Sequence, residues 1–401
     1  MRRLAPLLVA LAFLAFISLG LPDTVLGVAW PTVRERFGLA QSGMGLVLAF
    51  GVGGYFLSGL LAGRLVRALG VGALLAASSG LVALGLVGYA LAPSWYLFFP
   101  VAVVIGLGSG AIDSGLNAYA AHHFPVRYMN WLHASWSVGA TIGPAIMTAA
   151  IAVTTSYRPG YAILAAALGS MALAFATTRR SWDDPGDDPA PAAEGAAPAV
   201  AASPVADPGG WGALRRGRVW MQIAIFFVYT GVETGTGAWC FTVLREERGF
   251  GVEEAGLWTT VFWGSLTAGR VALGFVVDRF GPDRLLRLVT ATALAGVAGF
   301  AALPGVAGCL GLVVLGVSLA PIFPTLMSRT PARLGAEVTH HAVGFQVSAA
   351  TLGSAILPGG YGLLATRLGV GAIPWALAGA MLLLLLLHEA LLRGTGELAP
   401  T

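Results

Sequence analysis

The sequence predicts an all-α membrane protein, with twelve transmembrane helices arranged as two related six-helix halves. Three observations predict it. Charged side chains make up only 10% of the 401 residues, against 57% apolar ones, whereas a water-soluble domain carries about a quarter of its residues as charges. Apolar stretches close to the ~20 residues that a bilayer-spanning helix needs follow one another along most of the chain. The second half also repeats short signatures of the first. A surface so poor in charge is suited to lipid, so the lipid bilayer is the first partner expected.

The first stretch, near 6–29, follows Met1-Arg2-Arg3 as a secretion signal would. It runs on past Gly20 to about Val28 with no A-x-A cleavage pattern, so it is expected to be a retained spanning helix. Further spans are expected near 43–65, 71–92, 95–120, 129–153 and 159–178. A second set follows near 219–243, 255–277, 285–304, 306–328, 340–366 and 371–393. Short breaks carrying Pro, Gly or Arg separate them. Residues 1–178 then form one half and 219–401 the other.

Between them, 179–218 is rich in Asp, Pro and Ala and has no apolar periodicity. Such a segment cannot bury enough surface to fold, so it is expected to be a flexible cytoplasmic linker.

Every basic residue among the 23 is Arg, and short-loop Arg is retained on the cytoplasmic side. With both termini inside, only Arg34, Arg36, Arg158, Arg245, Arg248 and Arg367 fall outside, and Arg270 lies within a span. The other sixteen fall inside. A multi-pass inner-membrane protein with both termini cytoplasmic is expected.

The halves carry matching residues about 210 positions apart. Asp23-Thr24 before Gly27, Ala29 and Trp30 in the first span pairs with Glu233-Thr234 before Gly237, Ala238 and Trp239 in the seventh. The stretch from Gly63 to Gly70 pairs with the stretch from Gly274 to Gly281. His133-Ala134 and Ala140-Thr-Ile-Gly143 in the fifth span pair with His341-Ala342 and Ala350-Thr-Leu-Gly353 in the eleventh. Parallel six-helix repeats, with a substrate site between them near the midplane, belong to a known transporter architecture.

The segment Gly274-Phe-Val-Val-Asp278-Arg279-Phe-Gly281-Pro-Asp-Arg284 resembles the loop signature of the major facilitator superfamily. In the first half Gly63 stands where that loop usually has Asp. Asp113-Ser-Gly-Leu-Asn117, Tyr229-Thr-Gly-Val-Glu233 before Trp239, and Phe323-Pro324-Thr325 are similar to the fucose–proton symporter branch. The resemblance implies secondary active transport by alternating access, proton-coupled uptake of a sugar or similar small polar solute, and a monomer. It also implies that Asp278 and Arg279 brace a gate.

An ionised carboxylate inside a spanning helix costs at least ~2.5 kcal/mol, so such residues persist where they face a cavity or a partner. Asp23, Asp113 and Glu233 meet that description and are the candidates for proton coupling, with a structural hydrogen bond or ion pair as the alternative for each. Glu233 is also a candidate for holding substrate hydroxyls. Arg270, about two turns before Asp278, is expected to brace the cytoplasmic side of the second half.

Sugar rings bind flat aromatic faces, and amides read hydroxyls through both donor and acceptor atoms. Asn117, Trp136, Tyr229, Trp239, Trp263 and Gln346 are therefore the substrate-binding candidates, with His133 beside them as a proton relay or a helix-end histidine. Trp30 and Trp239 also lie where interfacial anchors concentrate.

Other classes find little support. The Arg residues are scattered rather than gathered in a stripe, which argues against a nucleic-acid partner. Cys240 and Cys309 lack CxxC spacing, and no metal ligand set, HExxH, nucleophile elbow or P-loop is present. The chain is thus expected not to be an enzyme and to need no cofactor beyond protons as the coupling ion. Gly106-Leu-Gly108-Ser-Gly110 lies inside a span with no preceding strand, so it and Gly139-x-x-x-Gly143 are packing features that let helices approach closely. Two rivals remain: proton-driven efflux of an apolar or cationic compound, and a membrane nutrient sensor that does not transport.

Overall fold

The structure is a computed structural model that describes residues 6–124, 126–182, 210–273 and 281–395. The side chains of a few helical residues, His133 among them, are outside that description, as are Asp278, Arg279 and the linker positions 183–209. Among the described residues there is no strand. The chain divides into two compact units. The first is Met1–Leu39 with Leu46–Ser203, and the second is Ala40–Gly45 with Pro204–Thr401.

In the first unit, the span expected near 6–29 is two helices. α1 (Pro6–Asp23) stops one residue after Pro22, and α2 (Leu26–Phe37) follows with Pro31 inside it. A proline withdraws one backbone donor from the helical ladder and crowds the preceding turn, which accounts for the break. Gly38, in the left-handed region at φ 64°, then closes α2 by donating to the Arg34 and Glu35 carbonyls. α3 (Gly43–Leu69), α4 (Val71–Leu91), α5 (Phe98–His123), α6 (Val126–Thr154) and α7 (Arg158–Trp182) complete the unit. α7 runs through Arg179 and Arg180 in its last turn, so these two residues are helical rather than part of a linker.

α4 packs on both α5 and α7, and α1 packs on α6. One end of the unit is closed by rings: Trp30 lies 5.8 Å from Trp95, Phe98 4.7 Å from Tyr89, and Tyr89 5.2 Å from Tyr161. Trp30 is fully buried in this cluster, so its surroundings are protein.

The second unit holds α8 (Gly217–Thr242), α9 (Val252–Leu273), α10 (Pro282–Ala302), α11 (Gly305–Leu319), α12 (Ile322–Leu334), α13 (Ala336–Leu368) and α14 (Ala372–Thr395). The tenth expected span is likewise broken, between α11 and α12, at Ala320-Pro321. α13 and α14 pack on α8, while α10 packs on α11 and α14. After α8 one wide turn, Val243–Glu247, leads to Arg248. The Arg248 guanidinium sits 4.4 Å over the Phe300 ring and donates to the Phe300 and Leu303 carbonyls at the end of α10. Burial lowers its pKa from the ordinary arginine value.

Ten helices among the described residues are long and apolar enough to cross a membrane, against the twelve spans expected. The two long helices outside that set are α8 and α9. They are 26 and 22 residues long, so length is not what holds them back. They carry Glu233 and Arg270 together with a large share of Thr, Ser and Trp.

An ionic cluster fastens α10, α12 and α14. Asp283 accepts from Arg329 and Arg333 at 2.7 Å each, and Arg333, whose side chain is fully buried, lies 3.5 Å from His388 Nε2. Arg287 makes a two-pronged pair with Glu389 at 2.6 and 2.9 Å.

Candidate functional site

The first unit brings four of the predicted residues together. Asp23 is the last residue of α1, and its side chain is exposed although apolar helix surrounds the position. The Trp136 indole of α6 donates to Asp23 Oδ2 at 2.9 Å. Two features of the α1–α6 contact set that distance. A Cβ on Gly139 would lie 2.0 Å from the Ile17 carbonyl oxygen, so the two backbones touch there. Next to the break in α1, the Thr24 hydroxyl donates to the Ala140 carbonyl at 2.8 Å.

Asp113 of α5 is held on both carboxylate oxygens. Tyr55 of α3 donates its hydroxyl to Oδ2 at 2.6 Å. One turn along α5, Asn117 donates its amide to Oδ1 and to the Asp113 carbonyl, both at 2.9 Å. Asp113 and Asp23 are near enough for each to act on the other's charge. Tyr55 is the participant that no sequence motif singles out. The one available signal is a phenol in an otherwise apolar span, and pattern alone cannot show which acid it reaches.

In the second unit Glu233 of α8 is buried between two partners. Tyr229, one turn earlier, donates its hydroxyl to Glu233 Oε2 and lies 3.2 Å from the Leu319 carbonyl oxygen. Arg270 of α9 pairs with Glu233 Oε1 at 3.4 Å, with side-chain exposures of 23% for the arginine and 8% for the acid. Sequence spacing linked Arg270 to Asp278. The structure gives it Glu233 as a partner, while Asp278 and Arg279 lie outside the described residues.

The remaining candidates are in the packed interior of this unit. Trp239 is fully buried and donates its indole N–H to the Pro358 carbonyl at 2.9 Å. Trp263 is buried against Gly237 and Phe262. Gln346 is fully buried, donates to Gln222 Oε1 and accepts from the Thr330 hydroxyl at 3.2 Å. Its donor and acceptor are therefore both engaged by side chains of the same unit. Tyr229 is buried as well, its ring tilted against that of Phe323 at 6.1 Å. The side chain of His133 lies outside the described residues.

Comparison with known proteins agrees with this architecture. The family model for the Major Facilitator Superfamily matches residues 11–358, and the chain belongs to that superfamily. A curated relative from Saccharomyces cerevisiae (strain ATCC 204508 / S288c), "Bypass of stop codon protein 6", is 23% identical over 429 aligned positions, covering 98% of this chain and 84% of its own. Among solved structures, the nucleoside transporter NupG is similar in fold, with a TM-score of 0.75 at 13% identity, covering 97% of this chain and 100% of its own. A D-xylose-proton symporter gives a TM-score of 0.75 at 16% identity, covering 95% and 96%. A single-residue variant of the E.coli fucose:proton symporter, FucP, gives 0.62 at 18% identity, covering 97% and 99%.

Proposed function

We propose that this chain is a secondary active transporter that works by alternating access and couples inward proton movement to uptake of a sugar or similar small polar solute. The observation that carries the reading is the donor and acceptor arrangement around Asp113. Asn117 spends its amide hydrogens on Asp113, and its buried carbonyl Oδ1 has no partner among the described residues. An acceptor in that condition suits a cargo hydroxyl, since an unsatisfied buried polar atom costs about 1–3 kcal/mol until it is met. Asp23, exposed and bonded to Trp136, is suited to exchange a proton. Asp113 and Glu233 share the coupling role, and each proton carried inward yields about 2.3 kcal/mol per 100 mV.

In this reading Trp136 and Asn117 contact cargo, and Tyr229, Trp239, Trp263 and Gln346 are the binding candidates of the second unit. Arg270, Asp278 and Arg279 brace gates. Residues 179–218 join two six-helix repeats, both termini face the cytoplasm, and the chain works as a monomer. The similar structures include a fucose:proton symporter, a D-xylose-proton symporter and a nucleoside transporter, which is compatible with a polar cargo.

The test is the external pH of lightly buffered, de-energised cells expressing the chain when hexoses and deoxyhexoses are added singly. Alkalinisation by one sugar, lost in Asp113→Asn, is expected. Silence across the panel with the protein present in the membrane refutes sugar–proton uptake for those compounds.

A further inference from the structure

The glycines of α5 have a consequence beyond helix packing. A Cβ on Gly106 would fall 2.0 Å from the Gly51 carbonyl oxygen and 2.9 Å from the Tyr55 nitrogen. One on Gly110 would fall 2.7 Å from the Tyr55 carbonyl oxygen and 3.1 Å from Ser58 Cβ. The backbones of α3 and α5 therefore touch on both sides of Tyr55, with no side chain between them. Asp113 stands three residues beyond Gly110, close to one helical turn. A phenol anchored at Tyr55 reaches that carboxylate, and the 2.6 Å contact to Oδ2 falls in the range of charge-assisted O–H···O bonds. Asn117 occupies the other oxygen from α5 itself, so the two oxygens of one carboxylate are held from two helices.

We propose that Tyr55 is a positioning residue for Asp113, set in place by the glycine contact between α3 and α5, and that its hydroxyl favours the charged carboxylate over the protonated one. The proposal rests on the proton-coupled reading above for its functional meaning. A donor to the charged form lowers the free energy of that form, so Asp113 gives up its proton more readily with Tyr55 in place. The same hydroxyl fixes the plane of the carboxylate, and with it the orientation of Asn117 toward cargo.

Other titratable groups lie on the elements around the pair. Asp23 on α1 acts on both Asp113 and Tyr55. α4 offers Tyr89, which belongs to the aromatic cluster. On α5 itself His123 is stacked on Tyr119 at 4.1 Å, and Arg64 and Arg67 lie further along α3. On α6 the side chains of Arg127, Tyr128 and His133 lie outside the described residues.

The experiment uses the full chain in lipid nanodiscs, treated across a pH series with dicyclohexylcarbodiimide, which reacts with protonated carboxyls. Mass spectrometry quantifies the adduct at Asp113 relative to its value at the most acid pH, which cancels differences in access. In Tyr55→Phe, Asp113 is expected to keep reacting to a pH about one unit higher than in the unsubstituted chain, the displacement that loss of one donor to a charged group produces. Gly110→Ala, whose methyl would press on the Tyr55 carbonyl, is expected to shift the midpoint in the same direction. A midpoint in Tyr55→Phe that is unchanged or lower overturns the proposal, whether or not Gly110→Ala folds. The adduct is read without any cargo, so its outcome is separate from that of the cell pH assay. Failure of sugar-driven alkalinisation refutes the transport reading and leaves the Tyr55 result to stand or fall alone.

Discussion

Substituting Glu233→Gln tests whether the Glu233–Arg270 contact is an energetically coupled pair. The change keeps the shape of the side chain and removes its charge, so the Arg270 guanidinium faces an amide in place of a carboxylate. Breaking a buried pair by removing one partner costs about 3–5 kcal/mol, because the other charge is left uncompensated. Arg270 retains 23% side-chain exposure, the contact is 3.4 Å long and Tyr229 also lies in its reach, so water and that phenol recover part of the cost and about 2–3 kcal/mol is expected. The second unit is near 200 residues, for which each kcal/mol moves the midpoint by roughly 2–4 °C. A fall in Tm of about 4–12 °C follows.

The reverse change is cheaper. With Arg270 removed, Glu233 keeps the hydrogen bond from the Tyr229 hydroxyl, so its carboxylate is still met by a donor. Arg270→Gln is thus expected to cost about 1–2 kcal/mol, and the double variant to be more stable than Glu233→Gln alone. The assay is thermal unfolding of the purified chain in nanodiscs, followed by tryptophan fluorescence, for all four forms. Additive losses in the double variant, or a Glu233→Gln form as stable as the unsubstituted one, refute the reasoning.

Three further outcomes are expected. Asp283→Asn deprives the fully buried Arg333 of its carboxylate and should lower stability by about 3 kcal/mol, while Glu389→Gln, opposite the 38%-exposed Arg287, should cost no more than about 1 kcal/mol; parallel unfolding curves compare the two, and equal losses contradict the burial argument. Gln346→Leu leaves Gln222 and Thr330 without a shared partner and should cost about 1–3 kcal/mol in unfolding; a weakened cargo response with an unchanged Tm would instead place Gln346 in contact with cargo. Trp136→Phe keeps a ring but removes the donor to Asp23, so sugar-driven alkalinisation should fall at least several-fold at unchanged Tm, and full activity in the cell pH assay would remove Trp136 from the coupling site.

Much of this was legible in the sequence because hydropathy reports burial against lipid directly. Spans emerge from composition alone, and charges inside them stand out because a bilayer makes each one costly. Asp23, Asp113, Glu233 and Arg270 were visible for that reason. Asn117 was visible as an amide inside the segment that resembles the fucose–proton symporter branch. The same signal weakens where polar work is concentrated: α8 and α9, which carry Glu233 and Arg270, are the two long helices outside the apolar set.

Partners were another matter. Trp136 is 113 residues from Asp23, Tyr55 is 58 from Asp113, Arg270 is 37 from Glu233, and Gln346 is 124 from Gln222. Hydropathy is a scalar and says nothing about which face of one helix turns toward which face of another. The tertiary structure decides that through close backbone contact, at Gly139 against Ile17 and at Gly106 and Gly110 against Gly51 and Tyr55. The sequence by itself therefore determined the apolar stretches and the costly charges within them, while the breaks after Pro22 and at Ala320-Pro321 came only with the structure. The structure alone decided which of those charges are exposed, which are paired, and which phenol or indole holds each one, because those choices depend on helix rotation and on spacings of a few tenths of an ångström.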